Sequence, residues 1–279
     1  MDSQTGPPSA GTCRSRACVR KDPPSGPNTG PAGPLGGSRP YSPCQGSQSP
    51  GGQVPPSHPQ VAALLERYRR QFARQALQPV GQALVTLVGE RAAVRTRETN
   101  FGNLLADLLC REFAQDIALI NSGQIRATIP AGTVTLGQVL SALPFDSSVV
   151  TLRITGRQLL AALENSARFL PEASGRFLQL SGLQVIYDLS MPPGSRVQAV
   201  AVKGKPLDPS GRYFIVTDAF LADGGDGYTM FRQASQRIDH QVPIRDVLLK
   251  AFRRGPLTAI RDHRIQIVSA SAALSPLAP

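Results

Sequence analysis

Histidine is scarce in this chain: His58, His240 and His263 are the three among 279 residues. Two of them form isolated pairs, Asp239-His240 and Asp262-His263, with no further ligands at metal-binding spacing, so neither pair is expected to hold a metal. Cysteine is nearly as rare. Cys13, Cys18 and Cys44 lie in an N-terminal segment without apolar periodicity, and Cys110 lies in a helical pattern. Without CxxC spacing these form neither a disulfide framework nor a zinc site. No apolar run approaches about 18 residues, so no membrane-spanning segment is expected. The start, MDSQTGPP, has no basic n-region and no apolar h-region, and no signal peptide is read there. P-loop and GxSxG motifs and a catalytic Cys–His pairing are missing as well.

What is present divides the chain. Residues 1–59 are rich in Pro, Gly and Ser and are expected to be disordered, because such a segment cannot bury enough surface to offset its ordering entropy. Residues 269–279 read as a second short tail. Between them, 60–268 has the size of a domain with its own interior. The formal net charge is +11, and only Lys21, Lys203, Lys205 and Lys250 of the 30 basic residues are lysines. Arginine suits bidentate recognition of phosphate or carboxylate. The arginines are dispersed, and no helix-turn-helix, zinc finger or RNP-type motif accompanies them, so nucleic acid is not the expected partner.

Periodicity predicts helices over 61–77, 101–114 (with Asn100 as N-cap), 136–143 after Thr135, 155–168 starting at Thr155, and 243–252. It predicts strands over 83–89, 117–121, 149–154 and 264–268, with further β-like stretches in FLQLSGLQVIYDL, VQAVAVKG and YFIVTDAF. Helices and strands alternate and then strands cluster. This points to an α+β domain of mixed, layered sheets and helices.

Four segments carry candidate chemistry. In RTRETNFGNLLAD, Arg95 and Arg97 precede a helix start, where free N–H groups favour anions; Glu98, Asn100 and Asn103 could equally brace that start. In INSGQIR, Asn121 and Gly123 lead to Arg126: an amide that can both donate and accept, then a phosphate-binding cation, or an ordinary strand-to-turn junction. In LPFDSS, Phe145 follows a proline in a loop, where a large apolar side chain either packs or stacks. In FLADGGDGY, Gly224, Gly225 and Gly227 allow φ > 0 and close approach, Asp226 offers a carboxylate to hydroxyls, and Phe220 offers a flat face; glycine and aspartate also make plain turns.

In order and spacing these four segments, with GRFLQLSGLQVIYD (175–188), resemble the C-terminal, substrate-binding domain of the 5'-nucleotidase family, over roughly residues 79–254. The resemblance implies a base sandwiched between Phe145 and Phe220, ribose hydroxyls on Asp226, a base edge at Asn121, and phosphates on Arg95 and Arg126. It implies a nucleotide or nucleoside as ligand and a periplasmic or extracellular setting. Hydrolysis in that family belongs to a separate N-terminal metallophosphatase domain with two divalent metals on Asp, His and Asn. No cofactor is therefore expected in this chain, and catalysis is expected only with such a domain supplied elsewhere. One departure is Gln124, where the family usually has a glycine; its side chain could crowd the phosphate. The alternatives are a scaffold that keeps the fold with a degenerate pocket, and a stand-alone hydrolase with unusual ligands.

Overall fold

The computed structural model describes residues 59–269. The expectations for both tails, including Cys13, Cys18, Cys44 and His58, lie outside the described residues. The chain runs α1 (Pro59–Ala76), β1 (Pro79–Ala83), α2 (Arg91–Val94), α3 (Asn100–Phe113), β2 (Ile117–Asn121), β3 (Gly132–Thr135), α4 (Leu136–Ala142), β4 (Ser148–Thr155) and α5 (Gly156–Ala167). It continues β5 (Leu178–Ser181), β6 (Leu183–Asp188), β7 (Val197–Val202), β8 (Lys205–Pro206), β9 (Arg212–Asp218), α6 (Ala219–Ala222), β10 (Gln236–Pro243), α7 (Ile244–Arg254) and β11 (Ile265–Val268). The expected α+β class is what is found.

The central sheet has the order β10-β4-β9-β2-β5, and a second sheet has the order β11-β6-β7-β8. Strand β2, IALIN, is buried on both faces, and its alternation divides the core. Ile117 and Leu119 face one cluster, with Leu159 and Leu163 of α5 and Val185 of β6. Ala118 and Ile120 face another, with Leu105 and Leu109 of α3 and Leu248 of α7. The result is a layered body: helices α3, α4 and α7, then the central sheet, then α5 with the second sheet.

Two helices start as the sequence dictates. Thr135 and Thr155 each accept the backbone N–H three residues on, and Gln138 and Gln158 reach back to the cap N–H, which completes a capping box at α4 and at α5. At α3 the expectation is corrected. The cap is Thr99, whose Oγ1 accepts from Gly102 N, while Asn100 turns outward to hold Val88 N–H and Thr86 C=O. The strand expected at 83–89 is also corrected: only Ala83 belongs to β1, and Leu87 makes a single bridge to Ile129. Among the described residues no helix is long and apolar enough to cross a membrane. Helix α1 nonetheless leaves Val61, Leu64, Leu65, Tyr68 and Phe72 exposed.

Candidate functional site

Register alone brings four distant loops to one edge of the central sheet. β2 and β9 run parallel, so Asn121 and Asp218 end on the same side. β5 is antiparallel to β2, with Leu178 opposite Asn121. β4 is antiparallel to β9, with Val149 opposite Asp218. The loops after β2 and β9 and before β4 and β5 therefore converge where ligands of open α/β sheets commonly sit. A cavity of about 450 Å³ opens there.

All six predicted side chains line this cavity: Arg95, Asn121, Arg126, Phe145, Phe220 and Asp226, with Gly123 beside them. Phe145 and Phe220 are 46 % and 47 % exposed, so both rings are open to solvent rather than plugs in the core. The Arg126 guanidinium lies over the Phe145 ring, 5.7 Å from its centroid, which joins the cationic and aromatic parts of the wall. Phe220 sits in α6, which Asp218 caps by accepting Leu221 N–H at 2.8 Å.

The glycines divide by role. Gly224 and Gly227 have φ of 82° and 83°, in the left-handed region, as expected. Gly225 does not share it, which corrects the expectation for that position. It serves space instead, since a Cβ there would lie 2.5 Å from the Phe220 ring. These three flank the cavity, whereas Gly123 and Gly175 line it. Gly123 N–H donates to Gly175 C=O at 2.9 Å and Ser122 N–H to Phe177 C=O at 2.8 Å, which zips the loop after β2 onto the loop before β5.

Asp226 occupies the turn between these glycines with φ 52°. Asn165 Nδ2 donates to its backbone carbonyl at 3.1 Å, and Asn121 Nδ2 donates to its carboxylate at 2.9 Å. Asn121 thus gives one amide N–H to Asp226, and its buried Oδ1 has no partner among the described residues. Arg95 is buried at the end of α2, and its Nε is likewise without a partner. Burial lowers the Arg95 pKa, the neighbouring Arg91 and Arg126 lower it further, and Asp226 opposes them. Arginines outnumber the carboxylate here, so the cleft favours an anion.

The turn that carries Arg95 is fixed by a residue the sequence reading passed over. Gln179 in β5 is fully buried; its Oε1 accepts from Thr99 N at 3.0 Å and its Nε2 donates to Val94 O and Arg97 O at 2.9 and 2.8 Å. A Cβ on Gly102 would fall 2.1 Å from that Oε1, which explains the glycine in NFGN. At the α3 N-terminus Thr99 Oγ1 accepts from Gly102 N–H and Gln179 Oε1 from Thr99 N–H, and Arg97 is exposed. Ser147, Gly175 and Gln124 also line the cavity. The Gln124 amide donates to Asp218 Oδ2 at 3.1 Å. Only Gln124 was visible in the sequence, as a departure from the family pattern.

Among the described residues no three His, Cys, Asp or Glu side chains converge as a metal site. His240 shares a hydrogen bond with Thr151 Oγ1 at 3.1 Å and packs on Phe113. Asp262 accepts from Arg264 and Asn103, and His263 N–H donates to Glu98. Among the described residues these donors are too few and too scattered to fit a two-metal centre.

The family model for the 5'-nucleotidase C-terminal domain matches residues 79–233. The 5'-nucleotidase of Diplobatis ommata is 33 % identical over 202 residues, covering 65 % of this chain and 35 % of that protein. The trifunctional nucleotide phosphoesterase YfkN of Bacillus subtilis is 32 % identical over 191 residues, 65 % of this chain and 13 % of its own length. The crystal structure of a 5'-nucleotidase precursor from Thermus thermophilus superposes with a TM-score of 0.70 at 38 % identity, over 74 % of this chain and 43 % of that one. This chain therefore spans well under half the length of these relatives.

Proposed function

The chain belongs to the 5'-nucleotidase family, as a C-terminal domain of that family, and on this premise we propose that its cleft binds a nucleotide. The base stacks between Phe145 and Phe220, the ribose hydroxyls donate to Asp226, and the phosphate pairs with Arg95 and Arg126. Asn121 orients Asp226 through an amide N–H and lies at the edge of the base. Catalysis requires a metallophosphatase domain, and this domain contributes recognition and orientation to it.

One observation carries the reading: residues from four segments, 95, 121–126, 145 and 220–226, meet in one cavity with two open aromatic faces, a guanidinium pair and a carboxylate. Chemically these match the three parts of a nucleotide. Base–aromatic stacking is worth about 1–3 kcal/mol per face. Titration calorimetry of adenosine and AMP against the wild type, Phe145→Ala and Phe220→Ala tests it. Each substitution is expected to weaken binding about five- to 150-fold. Equal heats from the wild type and both variants would remove the assignment.

A further inference from the structure

The cleft wall contains a contact that joins its two ends. Gln124 is buried, and its Nε2 donates to Asp218 Oδ2 at 3.1 Å. Asp218 is fully buried, and its other oxygen caps α6 through Leu221 N–H. Gln124 lies two residues before Arg126, and Asp218 lies two residues before Phe220. The Arg126 turn is itself pinned, since Arg126 N–H donates to Ala142 C=O at 2.9 Å. One side-chain hydrogen bond in the cleft wall thus ties the arginine-bearing turn to the phenylalanine-bearing helix. A glycine at 124 could not make it.

We infer that Gln124 is a positioning residue, whose bond to Asp218 fixes the spacing between the Arg126 guanidinium and the Phe220 ring. It thereby favours ligands that use both ends of the cleft, a nucleoside monophosphate over the bare nucleoside. The inference rests on reading the cleft as a nucleotide site. Its physical basis is preorganisation: groups held in place before binding need not be ordered during it.

Calorimetry with AMP and adenosine on Gln124→Gly, Gln124→Met and Asp218→Asn tests it. Gln124→Met keeps the bulk and loses the donor. Both Gln124 variants are expected to weaken AMP about three- to tenfold, the scale of leaving one or two side chains to be ordered on binding, with adenosine changed by less than about twofold. Asp218→Asn retains an acceptor for Leu221 N–H and, with the Gln124 amide reversed, a bond to it, and is expected to hold AMP within about twofold. A parallel loss for AMP and adenosine, tighter AMP binding by either Gln124 variant, or a loss confined to the glycine variant would overturn the proposal. If the wild type binds neither ligand, the nucleotide reading falls and the bond is judged by NMR order parameters. Loosening of Arg126 Nε–H and Leu221 N–H in Gln124→Met would uphold the strut, and unchanged values would refute it.

Discussion

Asp218→Asn gives a direct reading of the chemistry behind the cleft. The wild-type carboxyl is fully buried, and burial pushes its pKa from 3.8 up to about 6, against the Leu221 N–H and Gln124 amide, which favour the charged form. Between those values the unfolded chain has lost the proton and the folded protein retains it. The unfolded state then binds fewer protons, so stability falls as pH rises through this window and the loss levels off above about pH 6. From 3.8 to about 6, at about 1.4 kcal/mol per pH unit, the loss is about 3 kcal/mol. The neutral asparagine can still cap α6 and carries no such dependence. Urea unfolding of both proteins from pH 4 to 7.5 measures the difference. The variant is expected to gain on the wild type steadily up to about pH 6 and to keep that lead above it. Carboxylates held below their usual range, such as Glu112 beside Lys250, act alike in both proteins and cancel in the difference. A difference that is flat with pH, or that shrinks as pH rises, would refute the buried protonated carboxyl.

Other changes probe the wall itself. Gly225→Ala places a Cβ 2.5 Å from the Phe220 ring and 2.6 Å from the Phe220 carbonyl oxygen, so nucleoside affinity is expected to drop about tenfold or more, the loss of one stacking face, together with a lower Tm; calorimetry and thermal melts check this. Arg95→Met is expected to weaken AMP far more than adenosine and to flatten the salt dependence of AMP binding, measured by titration at two ionic strengths. Gln179→Ala strands Thr99 N–H and the carbonyls of Val94 and Arg97, at about 1–3 kcal/mol for each buried group left unpaired, and is expected to lower urea stability by about 3 kcal/mol or more.

The parts of the fold that the sequence displayed are those whose signals are local. The Thr-x-x-Gln boxes announce α4 and α5, and the unbroken apolar run IALIN announces a strand buried on both faces. What escaped was decided at long range. Strand β1, PVGQA, has no apolar alternation and forms because it pairs with β3 more than forty residues later. Strand β10 is almost wholly exposed along one edge, so QRIDHQVP has no buried face to show as a pattern. ALVTLVG looks like a strand, but Leu84 is exposed and the chain has already left the sheet after Ala83. For the site, residue types were legible and bonds were not: nothing local relates Asn121 to Asp226, 105 positions away, or Gln124 to Asp218, 94 away.

Those long-range bonds also bear on why the cleft would favour a ligand. Two buried polar atoms in its wall, Arg95 Nε and Asn121 Oδ1, have no partner among the described residues, and the amide nitrogen of Asn121 is held by Asp226. A buried polar group without a partner costs about 1–3 kcal/mol. Relaxation cannot easily remove that cost here. The turn around Arg95 is clamped by Gln179, and the Asn121 amide is committed to Asp226. The donor is cationic and the acceptor neutral, and they lie in a wall that also holds Arg126 and Asp226. Neither atom is open to solvent, so a ligand would reach them only by a small opening of the wall; one presenting an anionic oxygen and an N–H or O–H donor would then relieve both, whereas an apolar ring alone would relieve neither. Stacking on the two phenylalanines would then supply affinity, and the unpaired atoms would supply selectivity for ligands that carry polar groups at both places.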